Sequence, residues 1–284
     1  MIDVTFNMYS DTPEGKDPDS YSPTLRSYHK ILWSKPLPNG ISFDLDDEIR
    51  MLLHHKSELG EFFLSSDAVG HTYKNTLGMH HIIKKISPGE IESFYSLCST
   101  IGAYIIYPSK RVDNKMTING ARGTNVRIKD RFDLTLECIR RHYLNEKNPL
   151  SAVLDRYASF FKLFESFEGY VNFFLLQDLV TEDYLSIKYL LPFKSFENSP
   201  LPEDIDEYIV YKRNMTDFVT ARNQRIINIK LTKSQEDFIA GYAKAIYKPK
   251  TMSSGEYNKL LRKVKKTQSV RTISGGLPSL GKKR

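Results

Sequence analysis

The segment Gly169-Tyr-Val-Asn-Phe-Phe-Leu-Leu176 is apolar nearly all round, and only the inside of a core accommodates such a stretch. Just before it, Leu150, Val153, Leu154, Tyr157, Phe161 and Phe164 recur at helical spacing, predicting an amphipathic helix on the same core. Asn148-Pro149 supplies an N-cap with proline at the first helical position. Aromatic residues make up 12% and hydrophobic residues 40% of the 284, the composition of a folded chain rather than a disordered one. No apolar run approaches the roughly 20 residues that span a bilayer. The N-terminal MIDVTFNMYSDTPEGKD lacks the basic-then-apolar order of a signal peptide. Two cysteines, Cys98 and Cys138, indicate neither a disulfide framework nor a metal-binding pair. A cytoplasmic location is the expectation.

Along the rest of the chain, Val4–Tyr9 reads as a short strand, and Pro36-Leu-Pro-Asn-Gly40 as a turn between paired segments. Leu45, Ile49 and Leu52 or Leu53, with early Asp46, Asp47 and Glu48, predict a helix from about Asp46 to Leu59-Gly60. Phe62–Leu64 reads as strand, Pro88–Ser99 as helix and Ile101–Tyr107 as a buried strand. Residues 108–125 read as loop. Phe132, Leu136, Ile139 and Tyr143 form one stripe of a helix over Asp130–Tyr143. Leu185–Phe193 reads as a strand; a helix opens at Pro200-Leu-Pro202, and a second at about Asn214. Thr232 with Gln235 resembles a capping box ahead of Phe238, Ile239, Tyr242 and Ile246. The expected fold is α+β, a single helix-rich domain with a small sheet over 1–247, followed by a basic, flexible tail over 248–284.

Charge supports that division. The formal charge of +7 is carried by the tail, where eleven Lys and Arg meet one acid, Glu256, leaving 30 bases against 33 acids in 1–247. Tyr257–Lys266 forms a short basic helix in this reading, and Lys259, Arg262, Lys263, Lys265 and Lys266 become a sequence-independent nucleic-acid contact with steep salt dependence. An acidic protein partner or anionic lipid competes for the same charge.

The unusual chemistry concentrates in Thr117–Tyr143. Gly120-Ala-Arg-Gly123-Thr-Asn125 reads as a glycine loop whose backbone N–H groups approach an anion. Arg122 is the fork for phosphate or carboxylate, with Gly120, Gly123, Asn125 and Arg127 completing the anion site. The Gly-x-x-Gly spacing also occurs in KH nucleic-acid clamps, although the strand-like segment before it does not fit one. On the following helix Asp133, Glu137 and Arg141 fall at i, i+4, i+8 with His142 beside them. With Arg122 they are candidate catalytic residues, as bases, acids or orienting groups. The competing reading is an ion-pair ladder that braces the helix.

Other chemistries fit less well. The doublets His54-His55 and His80-His81 do not offer two ligands on one helical face, and no zinc-type spacing is present. Arg50 and His55 match the loose Arg-x4-His spacing of HEPN ribonucleases, with Met51 where a polar residue is usual. Phosphate-binding loops and a serine nucleophile elbow are missing, and the pattern names no cofactor.

Thr117-Ile-Asn with Ala121-Arg-Gly123, Asp130–Tyr143, Phe160-Phe161 through Gln177-Asp-Leu-Val180 and, more weakly, Arg222–Ile226 resemble a family of bacterial proteins catalogued as a domain of unknown function. The resemblance spans about Ser20 to Ile226 and implies no reaction. Two functions follow as expectations. One is a nucleic-acid- or nucleotide-associated protein, of the kind that acts as a defence effector, gripping phosphate at Arg122. The other is a non-enzymatic interaction module whose polar centre is structural.

Overall fold

A computed structural model of the chain describes residues 2–45, 47–49, 52–231, 233 and 235–237, with backbone alone at 47–49. One compact unit spans Ile2–Lys230. The expected tail, its helix and nucleic-acid contacts, the Tyr247 boundary and the Thr232 capping box lie outside the described residues.

Val4–Tyr9 is not a strand. Asp3 Oδ1 accepts from Thr5 N–H, and Asn7 Oδ1 accepts from Tyr9 N–H to cap a 3-10 turn over Met8–Asp11. Short polar side chains therefore capture this backbone before a ladder can form. Helices α1 (Pro18–Tyr21) and α2 (Pro23–Trp33) each begin with proline and are capped by Asp17 and Ser22. As the Asn-Gly turn suggested, β1 (Lys35–Pro36) and β2 (Ser42–Phe43) pair antiparallel, with Lys35 opposite Phe43.

The helix expected from about Asp46 is instead β-structure: β3 (Asp47–Ile49) and β4 (Leu52–Ser57), followed by β5 (Gly60–Ala68). Phe62, Leu64 and Ser66 alternate inward along β5, and pairing with that strand overrides the helical spacing of Leu45, Ile49 and Leu52. Gly60, at φ 136°, is the corner of a tight hairpin and not a helix stop. Helices α3 (His80–Ile83) and α4 (Pro88–Leu97) follow, then β6 (Tyr104–Pro108), buried throughout. The sheet order is β3-β4-β5-β6, all antiparallel, with Asp67 opposite Ile105.

Residues 118–124 correct the loop expectation. They form helix α5 (Ile118–Thr124), with Thr117 Oγ1 accepting from Gly120 N–H. Neither Gly120 nor Gly123 has positive φ. Helix α6 (Phe132–Tyr143) stands close to its expected span. The helix expected from Asn148 begins later and breaks at Tyr157 into α7 (Ser151–Arg156) and α8 (Ala158–Lys162). Asn148 serves the approach to it, accepting from Leu150 N–H. Helix α9 (Phe167–Phe174) carries the all-round apolar segment into the core, where Trp33, Phe160, Phe164, Tyr170, Phe173 and Phe174 pack ring on ring. Each such ring stabilises the fold by about 1.5–3 kcal/mol relative to exposure.

Leu185–Phe193 is not a strand either; one antiparallel bridge joins Ile187 to Val180, and side chains take up the backbone at Leu190 and Leu191. Leu190 N–H donates to Asp133 Oδ2, Leu190 O accepts from Asn214 Nδ2 and Leu191 O accepts from Arg131 Nη2. The two helices expected after Pro200 are one, α10 (Ile205–Ile227), capped by Asp204. No helix among the described residues is long and apolar enough to cross a membrane.

Candidate functional site

Arg122 belongs to α5 and is fully enclosed, with 0% of its surface exposed. Its guanidinium donates to Asp67 Oδ2, to Ala68 O at 2.9 Å, to Asp130 O at 3.1 Å and to Thr135 Oγ1 at 3.3 Å. Burial opposes its charge, but Asp67 and Asp130 outweigh that and raise its pKa above the ordinary arginine value. The side chain expected to open onto solvent is thus an internal clamp that fastens α5 to the end of β5 and to the turn before α6.

The other expected site residues are drawn into separate contacts. Arg131 reads its own neighbour Asp133 with two hydrogen bonds, at 3.1 and 2.6 Å. Glu137 accepts from Arg140 at 2.8 and 3.0 Å and from Arg141 at 2.6 Å. Burial pushes the Glu137 carboxyl up, but these two arginines prevail and lower its pKa. His142 faces Asp155 at 3.3 Å and meets Phe161 edge-on. Asn125 donates to Pro149 O, and Arg127 pairs with Glu197 at 3.1 Å on the surface. His55 bonds Asp44 O and Ser57 Oγ, while its expected companion Arg50 lies outside the described residues.

A cavity of about 450 Å³ opens beside the Arg122 clamp. Gly123 is the one expected site residue on its wall; the others there include His71, Tyr73, Lys74, Tyr95, Lys129 and Asp130. Three of them hold left-handed backbone: Tyr73 at φ 56°, Lys129 at φ 47° and Asp130 at φ 60°. Such strain persists where surrounding contacts enforce it. Here Tyr73 Oη donates to Lys129 O at 3.1 Å, Tyr211 Oη to His71 O at 2.7 Å and Tyr208 Oη to Thr72 O at 2.7 Å. Gly123 has its own reason to be glycine, because a Cβ there would stand 3.0 Å from Asp130 Oδ2. The carboxylate of Asp130, 28% exposed, sits 3.9 Å from Arg122 Nε and faces the opening.

The charges around this cavity are unevenly placed. Lys74 lies over the Tyr95 ring and 3.7 Å from Glu92, whereas Lys129 has no carboxylate partner among the described residues. Burial lowers the His71 imidazole to about 4, Arg122 adding to the effect and Asp130 opposing it, so His71 is neutral at pH 7. Burial likewise raises the hydroxyls of Tyr73 and Tyr95 on the same wall. Perturbed groups gathered at one cavity are a physical marker of a working site. No group of three or more His, Cys, Asp or Glu among the described residues is placed to hold a metal ion.

Sequence reasoning passed over His71, Tyr73 and Lys74 because they are scattered in a turn with no motif spacing. The readable signal was the run Gly70-His-Thr-Tyr-Lys-Asn75, polar and turn-forming yet carrying two rings.

A family of unknown function (DUF6994) matches residues 2–226, which takes in both walls of the cavity and the helix that braces them. The chain belongs to this family. The match begins well before Ser20 and so covers the N-terminal turn. No curated protein and no solved structure matches the chain.

Proposed function

We propose that this family member binds a nucleotide in the cavity beside Arg122. The reading keeps the nucleotide association expected from the sequence and moves the phosphate contact from Arg122 to Lys74 and Lys129. One observation carries it: two lysines and the rings of Tyr9, Tyr73 and Tyr95 line a cavity of about 450 Å³ in a body with more acids than bases. A volume of that order suits a small organic ligand, and cations beside aromatic faces suit phosphate joined to a base. Titration of the full chain with ADP by calorimetry tests this. Lys129→Ala removes one charged contact and is expected to weaken binding by about 10-fold or more, the value of a hydrogen bond to a charged group. Absence of heat with ADP, or indifference to the loss of both Lys74 and Lys129, contradicts the reading.

The second expectation, a structural polar centre, draws support from Arg122, Arg131 and Arg222, each buried and bonded to carbonyls. The two readings divide the polar residues between them: the clamps brace, and the cavity binds. For the tail, the proposal remains a salt-sensitive contact to RNA or DNA through Lys259, Arg262, Lys263, Lys265 and Lys266. Affinity measured across salt with and without residues 248–284 decides it, and equal affinity for both chains refutes it.

A further inference from the structure

We propose that the cavity hydrolyses the phosphoanhydride of the nucleotide it binds, with His71 accepting the proton of the attacking water; this rests on the binding reading above. The argument begins with partners. Both ring nitrogens of His29 are bonded, to Trp33 and Ser66, and both of His55, to Asp44 and Ser57. His54 meets Glu61 and His142 meets Asp155. His80 and His81 are exposed and away from the cavity, whereas His71 stands half-buried on the cavity wall with neither ring nitrogen hydrogen-bonded among the described residues. A polar ring so placed has its bonding capacity directed at whatever fills the cavity.

Its position is fixed from both sides. Tyr211 holds the His71 carbonyl, and the Tyr73 ring stacks on the imidazole at 5.9 Å between centroids. Tyr73 in turn holds the Lys129 carbonyl, which ties the wall bearing the imidazole to the wall bearing Lys129 and Asp130. That is the preorganisation a proton transfer requires. Burial and Arg122 disfavour the imidazolium, and Asp130 offsets part of that cost once it forms.

The step balances with these groups alone. Water gives one proton to the imidazole as its oxygen bonds the terminal phosphorus. The bond from that phosphorus to the bridging oxygen breaks, and its electron pair leaves on the shortened nucleotide. The imidazolium then releases its proton to solvent. A phosphate leaving group is stable as an anion and needs no acid, so one proton acceptor suffices. Lys74 and Lys129 offset the charge that gathers on the phosphate oxygens.

The test measures orthophosphate release from ATP and ADP by the full chain, alongside equilibrium binding of the non-hydrolysable analogue AMP-PNP. The expected result is release that falls about 100-fold or more in His71→Asn, the usual contribution of a positioned base, while analogue affinity changes by less than about 3-fold. Asp130→Asn tolerates left-handed backbone and serves as the second variant. It is expected to lower release per bound nucleotide by about 10-fold, because Asp130 is the larger of the two carboxylate influences that favour the imidazolium. Analogue binding without phosphate release overturns the hydrolytic proposal and leaves nucleotide binding standing. Release that persists undiminished in a folded His71→Asn chain also overturns it. Failure of the analogue to bind overturns both.

Discussion

Replacing Arg122 with lysine keeps the charge and removes the fork. The guanidinium makes four hydrogen bonds, to Asp67, Ala68 O, Asp130 O and Thr135 Oγ1, from three nitrogens spread over a plane. A lysine ammonium is one point with three donors. Reaching Asp67, it keeps at most one further partner, which leaves two buried acceptors unsatisfied at about 1–3 kcal/mol each. The expected loss is therefore about 3 kcal/mol, and at roughly 2–4 °C per kcal/mol for a body of this size the melting temperature should fall by about 6–12 °C. Thermal unfolding of the full chain followed by circular dichroism measures it. Because Ala68 and Asp130 also line the cavity, nucleotide affinity should fall together with stability. A variant that melts within 2 °C of the parent, roughly the effect of less than 1 kcal/mol, refutes the clamp. If that stable variant has also lost nucleotide binding, Arg122 touches the ligand, as the sequence first suggested.

Two further predictions concern the core. Trp33 Nε1 donates to His29 Nδ1 at 2.9 Å, so the proton sits on Nε2 and is donated to Ser66, and burial lowers this imidazole to about 3. Below its ordinary pKa near 6.5 the unfolded chain binds a proton that the folded chain refuses, so stability is full above that pH and falls as pH drops toward 3. The expected slope is about 1.4 kcal/mol per pH unit from His29 alone, with His55 and His71 acting in the same direction. Urea unfolding at pH 7, 6 and 5 checks it; a flat profile contradicts a neutral buried His29. Gly169→Ala drives a Cβ into the Phe164 carbonyl oxygen at the start of α9, and should destabilise by about 1–3 kcal/mol or prevent folding. Normal stability in a chemical denaturation curve would show that the α8–α9 corner relaxes freely.

How far the fold could be read from the sequence follows from what holds each part. Segments fixed by their own periodicity and caps, such as α4 behind Ser87 and α6 along Phe132, Leu136 and Ile139, were legible. So was the buried fate of α9. Strand β4 was not, because its pairing of Leu53 with Leu64 depends on β5, later in the chain. Leu185–Phe193 misled for the opposite reason: its strand-like composition finds only a single bridge, Ile187 to Val180, and Asp133, Arg131 and Asn214 take up the backbone beyond it. At the site, the arginine-rich stretch stands out in the sequence, but a sequence does not distinguish an arginine that faces a ligand from one that faces Asp67. Asp67 lies 55 residues away, on β5. The cavity itself is assembled from the turn over 70–76 and short pieces of the N-terminal turn, β5, α4 and the α5–α6 turn, and only Gly123 among them belongs to a spacing the sequence singles out.

The most direct measurement is a crystal structure of the chain grown with ADP. The phosphates are expected against Lys74 and Lys129, with His71 within hydrogen-bonding reach of the terminal phosphate or its water, and Arg122 unmoved in its clamp. Nucleotide seated anywhere else, or a guanidinium of Arg122 swung out to meet the phosphate, contradicts the division between brace and binding site.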